Sequence, residues 1–250
     1  MSDAVLTEQR DRVLLVTLNR PEAMNAINGA LSHGLMDAVT RLNDDPGLTV
    51  GVVTGAGKGF SAGMDLKAFA RGEDIGPFMT FVRGGAKKPL IAAVEGFALA
   101  GGLELALACD LIVAAAGARL GIPEVGVGLF AAGGGVMRLP ARVGYSKAME
   151  MAITGDPISA EDAAELGLVA RLADRGGAVD AALRLAERVA KNAPLAVAAS
   201  KELVKATQGL TEEEFWAVQQ RLHTVVFNSD DAREGPRAFA EKRPPRWSGT

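Results

Sequence analysis

An α/β fold is predicted by three observations. Short β-branched runs closed by turn residues recur through the first two thirds of the chain. Stretches with apolar residues at helical spacing alternate with them. After about residue 145 the strand signals nearly vanish and capped helical patterns take over. With 250 residues, 48% of them apolar and 23% charged, the chain is long enough for one core with an appendage.

The elements follow in order. Residues 13–19 (VLLVTLN) and 49–54 (TVGVVT) read as strands, and between them residues 25–43 place Ile27, Leu31, Leu35, Ala38 and Leu42 at helical spacing. Pro89 precedes a third buried strand, 90–94 (LIAAV), and 111–115 makes a fourth. The segment 101–110 between them reads as a helix opened by glycines. Ser159 three residues before Asp162, and Thr211 three before Glu214, are capping-box patterns. Residues 178–191, 194–207 and 211–228 are amphipathic helices whose apolar faces need a cover, and another subunit is the expected one. No low-complexity linker or clean repeat divides the chain, so the expected boundary near residue 190 separates packed layers, a core over 1–190 and a helical region over 191–250.

Composition excludes several classes. A net charge of −3 supplies no broad basic surface for nucleic acid. The N-terminus has no basic stretch leading into an apolar one, and no apolar segment approaches the roughly 20 residues of a membrane span. The cytoplasm is the expected compartment, with no membrane partner. The lone Cys109 sits in an apolar run and reads as inert core. His33 and His223 each read as helix-face residues, and no Cys/His/Asp cluster has ligand spacing, so no metal is expected.

Three motifs are tempting and fail in context. Residues 59–63 satisfy G-x-S-x-G, but the glycine-rich GAGKG separates Ser61 from the strand on which a nucleophile elbow depends. GAGKG at 55–59 has Phe60 where a dinucleotide loop needs its third glycine, and Val52 where a phosphate loop needs its first. Gly126, Gly128 and Ala131 fit a looser dinucleotide pattern, yet Pro123 and Glu124 stand where its leading strand should end.

What survives is a pair of glycine turns and a pair of acids. GKGFSAGMD (57–65) and GFALAGGLE (96–104) follow the second and third core strands, and each leads into a helical segment. Glycines leave backbone N–H groups unblocked and a helix start adds partial positive charge, so two such turns aimed at one point form an oxyanion hole. Glu104 falls one helical turn beyond Gly101, among leucines where an unpaired carboxylate is costly. Glu124 lies between the apolar LGIP and VGVGLF. Such settings raise a carboxyl pKa toward neutrality and suit acid–base work. The plainer alternative is an exposed helix acid and a loop acid.

The chain resembles the crotonase (enoyl-CoA hydratase/isomerase) superfamily over essentially its whole length, through LNRPEAMNAI (18–27), TGAGKGFSAGMDLKAF (54–69), KPLIAAVEGFALAGGLELALACDLIVA (88–114) and GIPEVGVGLFAAGGGVMRLP (121–140). The resemblance implies a spiral of β-β-α units and a C-terminal helical region that builds homotrimers or hexamers. It implies a coenzyme A thioester as substrate, with no separate cofactor. Its carbonyl would sit between the backbone N–H groups of Met64 and Gly101. Ala23, Ser61, Ala62, Asp65 and Leu66 are then placed along the substrate, and Lys242 is either a contact to the CoA phosphates of a neighbouring subunit or a solvated lysine.

Both acids match glutamates of the family's hydratases, one activating water for attack on Cβ and the other supplying a proton to Cα. The acyl end falls on residues 70–85, where Phe78, Met79, Phe81 and Val82 suggest an apolar wall. Residues 229–247 and 133–140 are similar to a branch acting on a quaternary ammonium substrate. Glu22 stands where the family often has a CoA-contacting lysine. Double-bond isomerisation, thioester hydrolysis and a non-catalytic scaffold remain as alternatives.

Overall fold

Alternate residues of the central strands enter two separate apolar layers, which is why these strands read as continuous hydrophobic runs. In the computed structural model, which describes residues 4–250, Leu14, Val16 and Leu18 of β2 (Val13–Leu18) enter one core, and Val13 and Leu15 enter the other. The same division runs through β3 (Val50–Gly55), β4 (Leu90–Val94) and β6 (Leu111–Ala115). These strands pair in parallel, β1 (Val5–Arg10) joins the edge antiparallel to β2, and β9 (Arg171–Ala173) adds to β6, giving the order β1-β2-β3-β4-β6-β9. Gly51 carries no side chain because Leu42 and Leu90 fill its place: a Cβ there would lie 2.6 Å from Leu90 Cδ1 and 2.8 Å from Leu42 Cδ2.

One face of the sheet is covered by α1 (Gly29–Asp44), α3 (Gly76–Gly84) and α4 (Gly101–Ala108), the other by α8 (Ala178–Ala190), whose Ala178, Ala182 and Ala186 permit close approach. A second, smaller sheet has the order β5-β7-β8, formed by Phe97–Leu99, Arg119–Gly121 and Ile158–Ser159. Since β5 directly follows β4, and β7 follows β6, each turn of the chain contributes one strand to each layer. An isolated bridge between Ser61 and Ala98 extends this layer toward β3's own continuation. The implied spiral of β-β-α units is present.

Helix α4 is buried along all eight of its residues, and Glu104 is its one ionisable side chain. Beyond it lie α5 (Gly135–Val143), α6 (Tyr145–Thr154) and α7 (Ala160–Glu165), the last capped by Ser159, whose hydroxyl accepts from the Asp162 N–H. The tail consists of α9 (Pro194–Ala206), α10 (Glu212–Phe227) and α11 (Asp230–Ala240). Thr211 and Glu214 form the complete capping box that their spacing predicts. No described helix is long and apolar enough to cross a membrane.

Several expectations shift. The first helix begins at Gly29, not residue 25, because Asn28 caps it through Leu31 N–H while Met24 and Asn25 adopt φ of 53° and 53°, outside helical space. Ile27 therefore pairs with Met64 in a short parallel bridge. Strand structure also continues past residue 145 in β8 and β9, which are too short for periodicity to reveal. Phe81 and Val82 point into the core rather than a substrate wall. Cys109 is buried, and burial pushes its thiol pKa up, consistent with inert core.

Lys201 of α9 anchors the tail to the core. Its ammonium donates to the carbonyls of Ala86 (2.7 Å) and Lys88 (2.8 Å) and pairs with Asp110 at 2.7 Å, with its side chain 9% exposed. Lys201→Met is expected to strand that carboxylate and two carbonyls, lowering stability by about 3 kcal/mol in urea unfolding; an unchanged midpoint would refute the anchoring role.

Candidate active site

The turn after β3 and the turn after β5 are pressed together. A Cβ at Gly63, where φ is +96°, would lie 2.6 Å from Ala100 Cβ and 2.9 Å from both the Gly101 nitrogen and the Leu99 oxygen. One at Gly101 would lie 3.6 Å from the Met64 nitrogen. The two amides are thus neighbours, and neither N–H has an acceptor among the described residues. Gly101 opens α4, so its N–H also carries the positive end of that helix. Ala100 before it holds φ of 50°, a left-handed conformation costly for a side-chain-bearing residue.

Buried polar groups hold these turns. Asn25 donates to the carbonyls of Ala56 (2.8 Å) and Gly59 (2.9 Å) and accepts from the Arg20 N–H. Ser61, fully buried, donates to the Asn25 carbonyl at 2.9 Å and accepts from the Gly63 N–H. Its hydroxyl is committed beneath the turn and does not reach the cavity, which also disposes of the nucleophile motif. Asp65 caps α2 (Leu66–Ala70) through the N–H groups of Lys67 and Ala68 and pairs with Arg20 at 3.1 Å; those bonds hold its carboxyl below the usual range.

A cavity of about 360 Å³ opens over the two amides. Met64, Gly101, Ala62 and Leu66 line it, as do Glu104 and Glu124. Ile75, Phe78, Met79, Leu129 and Phe130 complete an apolar wall. Ala23, Ser61, Asp65 and the exposed Lys242 do not line it within this chain.

The two acids differ in their surroundings. Glu104 is 4% exposed and accepts from the Gly135 N–H at 2.9 Å. Burial raises its pKa, while the amides of Gly135 and Gly133 and the Arg138 guanidinium oppose the rise. Glu124 lies on a 3-10 turn, Pro123–Val127, and its Oε2 is buried without a hydrogen-bond partner among the described residues. Burial, reinforced by the Glu104 charge, pushes its pKa up to about 7. The two carboxyls are therefore not equivalent, and Glu124 titrates near neutral pH.

Three contributors were not singled out by sequence. Gly133 and Gly135 leave room for the carboxylate: a Cβ at Gly133 would lie 2.6 Å from Glu104 Oε2, and one at Gly135 3.2 Å from Oε1. Arg138 lies behind them. The GGG of 133–135 was the available signal. His33 pairs with Asp74 on the surface and His223 stacks on Phe227, so both are helix-face residues as expected. No cluster of three or more potential metal ligands occurs among the described residues.

Two neighbouring backbone amides and a glutamate pair thus meet in one cavity at the mouth of a two-layered spiral. Comparison with known proteins gives the family: residues 8–250 match the model described as enoyl-CoA hydratase/isomerase, and the chain belongs to that family of enzymes. It is 41% identical over 263 aligned residues to a carnitinyl-CoA dehydratase from Proteus mirabilis, covering 100% of both chains. It superposes on an enoyl-CoA hydratase from Mycobacterium marinum with a TM-score of 0.96 at 55% identity, and on one from Mycobacterium tuberculosis at 0.96 and 54%, covering 100% of each chain in both cases.

A stability prediction follows from Glu124. The folded carboxyl keeps its proton up to about 7, whereas an unfolded one ionises near 4.5. Between those values the folded state binds more protons, so stability falls as pH rises through that window. Glu124→Gln is expected to unfold at a higher temperature than the parent at pH 8, and to lose this advantage below pH 4.5. Equal melting temperatures at pH 8 would contradict the shift.

Proposed function

We propose that this enzyme reversibly adds water across the α,β-double bond of a 2-enoyl-CoA thioester, as a hydro-lyase. The observation that carries the reading is the convergence of two unpaired amides and two unlike carboxyls on one apolar cavity. The thioester oxygen would accept from the N–H groups of Met64 and Gly101, each contributing about 3 kcal/mol as negative charge develops on the enolate. Glu104, held by amide donors, would orient and deprotonate the water attacking Cβ. Glu124, protonated near neutrality, would deliver the proton to Cα. In dehydration the same groups exchange roles.

No cofactor beyond the coenzyme A of the substrate is needed for this chemistry. Leu66, Ile75, Phe78, Met79 and Phe130 favour a hydrocarbon acyl group. The name of the Proteus relative raises a second reading, a carnitine-derived acyl group, whose fixed cation would have only the two glutamates as charged neighbours in the cavity. Residues 191–250 are read as the oligomerisation region of a homotrimer or hexamer, since Val204, Trp216, Val225, Phe227 and Phe239 are more than half exposed on a single chain. Lys242 is exposed and free to meet CoA phosphates across such an interface. A cytoplasmic location fits a CoA-dependent reaction.

The test is loss of conjugated-thioester absorbance with a panel of enoyl-CoAs, a quaternary ammonium member included. Glu104→Gln and Glu124→Gln are each expected to lower kcat by about 10²- to 10⁴-fold with little change in KM. Hydration by the parent enzyme should decline as pH rises through about 7, where Glu124 loses its proton. No bleaching with any member, or equal losses in turnover and affinity, would overturn the assignment.

A further inference from the structure

We infer that Arg138 is a positioning residue of the catalytic pair, clamping the loop that carries the amide donors of Glu104 to the helix that walls the cavity. The inference rests on the hydratase reading above. Arg138, on the first turn of α5, sends its guanidinium two ways: Nη1 donates to the Gly133 carbonyl at 3.1 Å, and Nη2 donates to the Val82 carbonyl on α3. Gly133 and Gly135 flank the Glu104 carboxylate, and α3 carries Phe78 and Met79 on the cavity wall. One planar fork therefore joins the two structures between which the carboxylate and the acyl chain must fit. Lysine keeps the charge but lacks the two separated, coplanar nitrogens with which Arg138 spans the Gly133 and Val82 carbonyls.

The charge acts on Glu104 as well. The groups facing Glu104 are Glu124 across the cavity and Arg138 behind the glycine loop; Arg142 lies beyond Arg138 and does not contribute at Glu104. Arg138 is half-buried, and its cation opposes the rise that burial imposes on the carboxyl. Loop geometry and charge thus favour the same state, an ionised Glu104 at a fixed place beside a protonated Glu124. A misplacement of about 1 Å in such a group can cost about 100-fold in rate.

The experiment measures kcat, KM and the pH profile of enoyl-CoA hydration for the parent, Arg138→Gln, Arg138→Lys and Arg142→Gln, with folding checked by circular dichroism and thermal melting. Arg138→Gln should lower kcat about 10- to 100-fold. It should also move the acid limb of kcat/KM, where Glu104 takes up its proton, toward higher pH. Arg138→Lys should keep that limb closer to the parent while still losing turnover, because charge is retained and the two-carbonyl bridge is not. Arg142→Gln should leave the limb in place. A folded Arg138→Gln with an unmoved limb, or an equal shift in Arg142→Gln, overturns the proposal. Failure of both Arg138 variants to fold would assign the residue to general stability and overturn it too. A parent enzyme inactive on every enoyl-CoA would instead overturn the hydratase reading.

Discussion

The backbones of residues 61–64 and 99–102 run against each other with no space for a side chain between them. Gly63 meets Ala100 and the Gly101 nitrogen, and a Cβ on Gly102 would enter the Ser61 carbonyl. This contact brings two amides from distant parts of the chain to one point; the Leu99 N–H to Ser61 carbonyl bond joins the segments, and Asn25 and Ser61 satisfy the buried polar groups beneath. The start of α4 is set by the same contact, and with α4 the position of Glu104. A side chain at Gly63 would collide with Ala100 and the backbone of Leu99 and Gly101 and force the two turns to shift.

From that point outward the site is built by unequal hydrogen-bond supply to two desolvated acids. Glu104 and Glu124 both lie in apolar surroundings, but Glu104 has the amides of Gly133 and Gly135 and a nearby cation, whereas Glu124 has its own amide alone. Glu124 retains an oxygen with no partner among the described residues. Burial raises both carboxyls, and at Glu104 the amides of Gly133 and Gly135 and the Arg138 cation oppose the rise, so the two acids are not equivalent. The cost is a buried carboxyl that weakens the fold at alkaline pH, an instance of stability given up at a functional site.

Much of the fold was legible because the central strands are buried on both faces. Residues 90–94 and 111–115 were read with the bounds they have, and helices 178–190 and 194–206 differ from their readings by one residue. The second layer was not legible. Strands β5, β7 and β8 are three, three and two residues long, below any window in which periodicity can be counted. The spiral of β-β-α units came from the family resemblance and not from periodicity, for the same reason. The side chains of Ser61 and Asp65, residues placed along the substrate by resemblance, hold the turn and cap α2.

The sequence alone determined the α/β class, the glycine turns, the two acids and the absence of a broad basic surface, since each depends on local pattern or composition. Family resemblance supplied the reaction. Which carboxyl receives amide donors, which glycines make room for it, and the reach of Arg138 to Val82 were decided by tertiary structure, because they join residues as far as 56 positions apart in the chain. Desolvation and hydrogen-bond supply are properties of the assembled cavity, and no spacing along the chain encodes them.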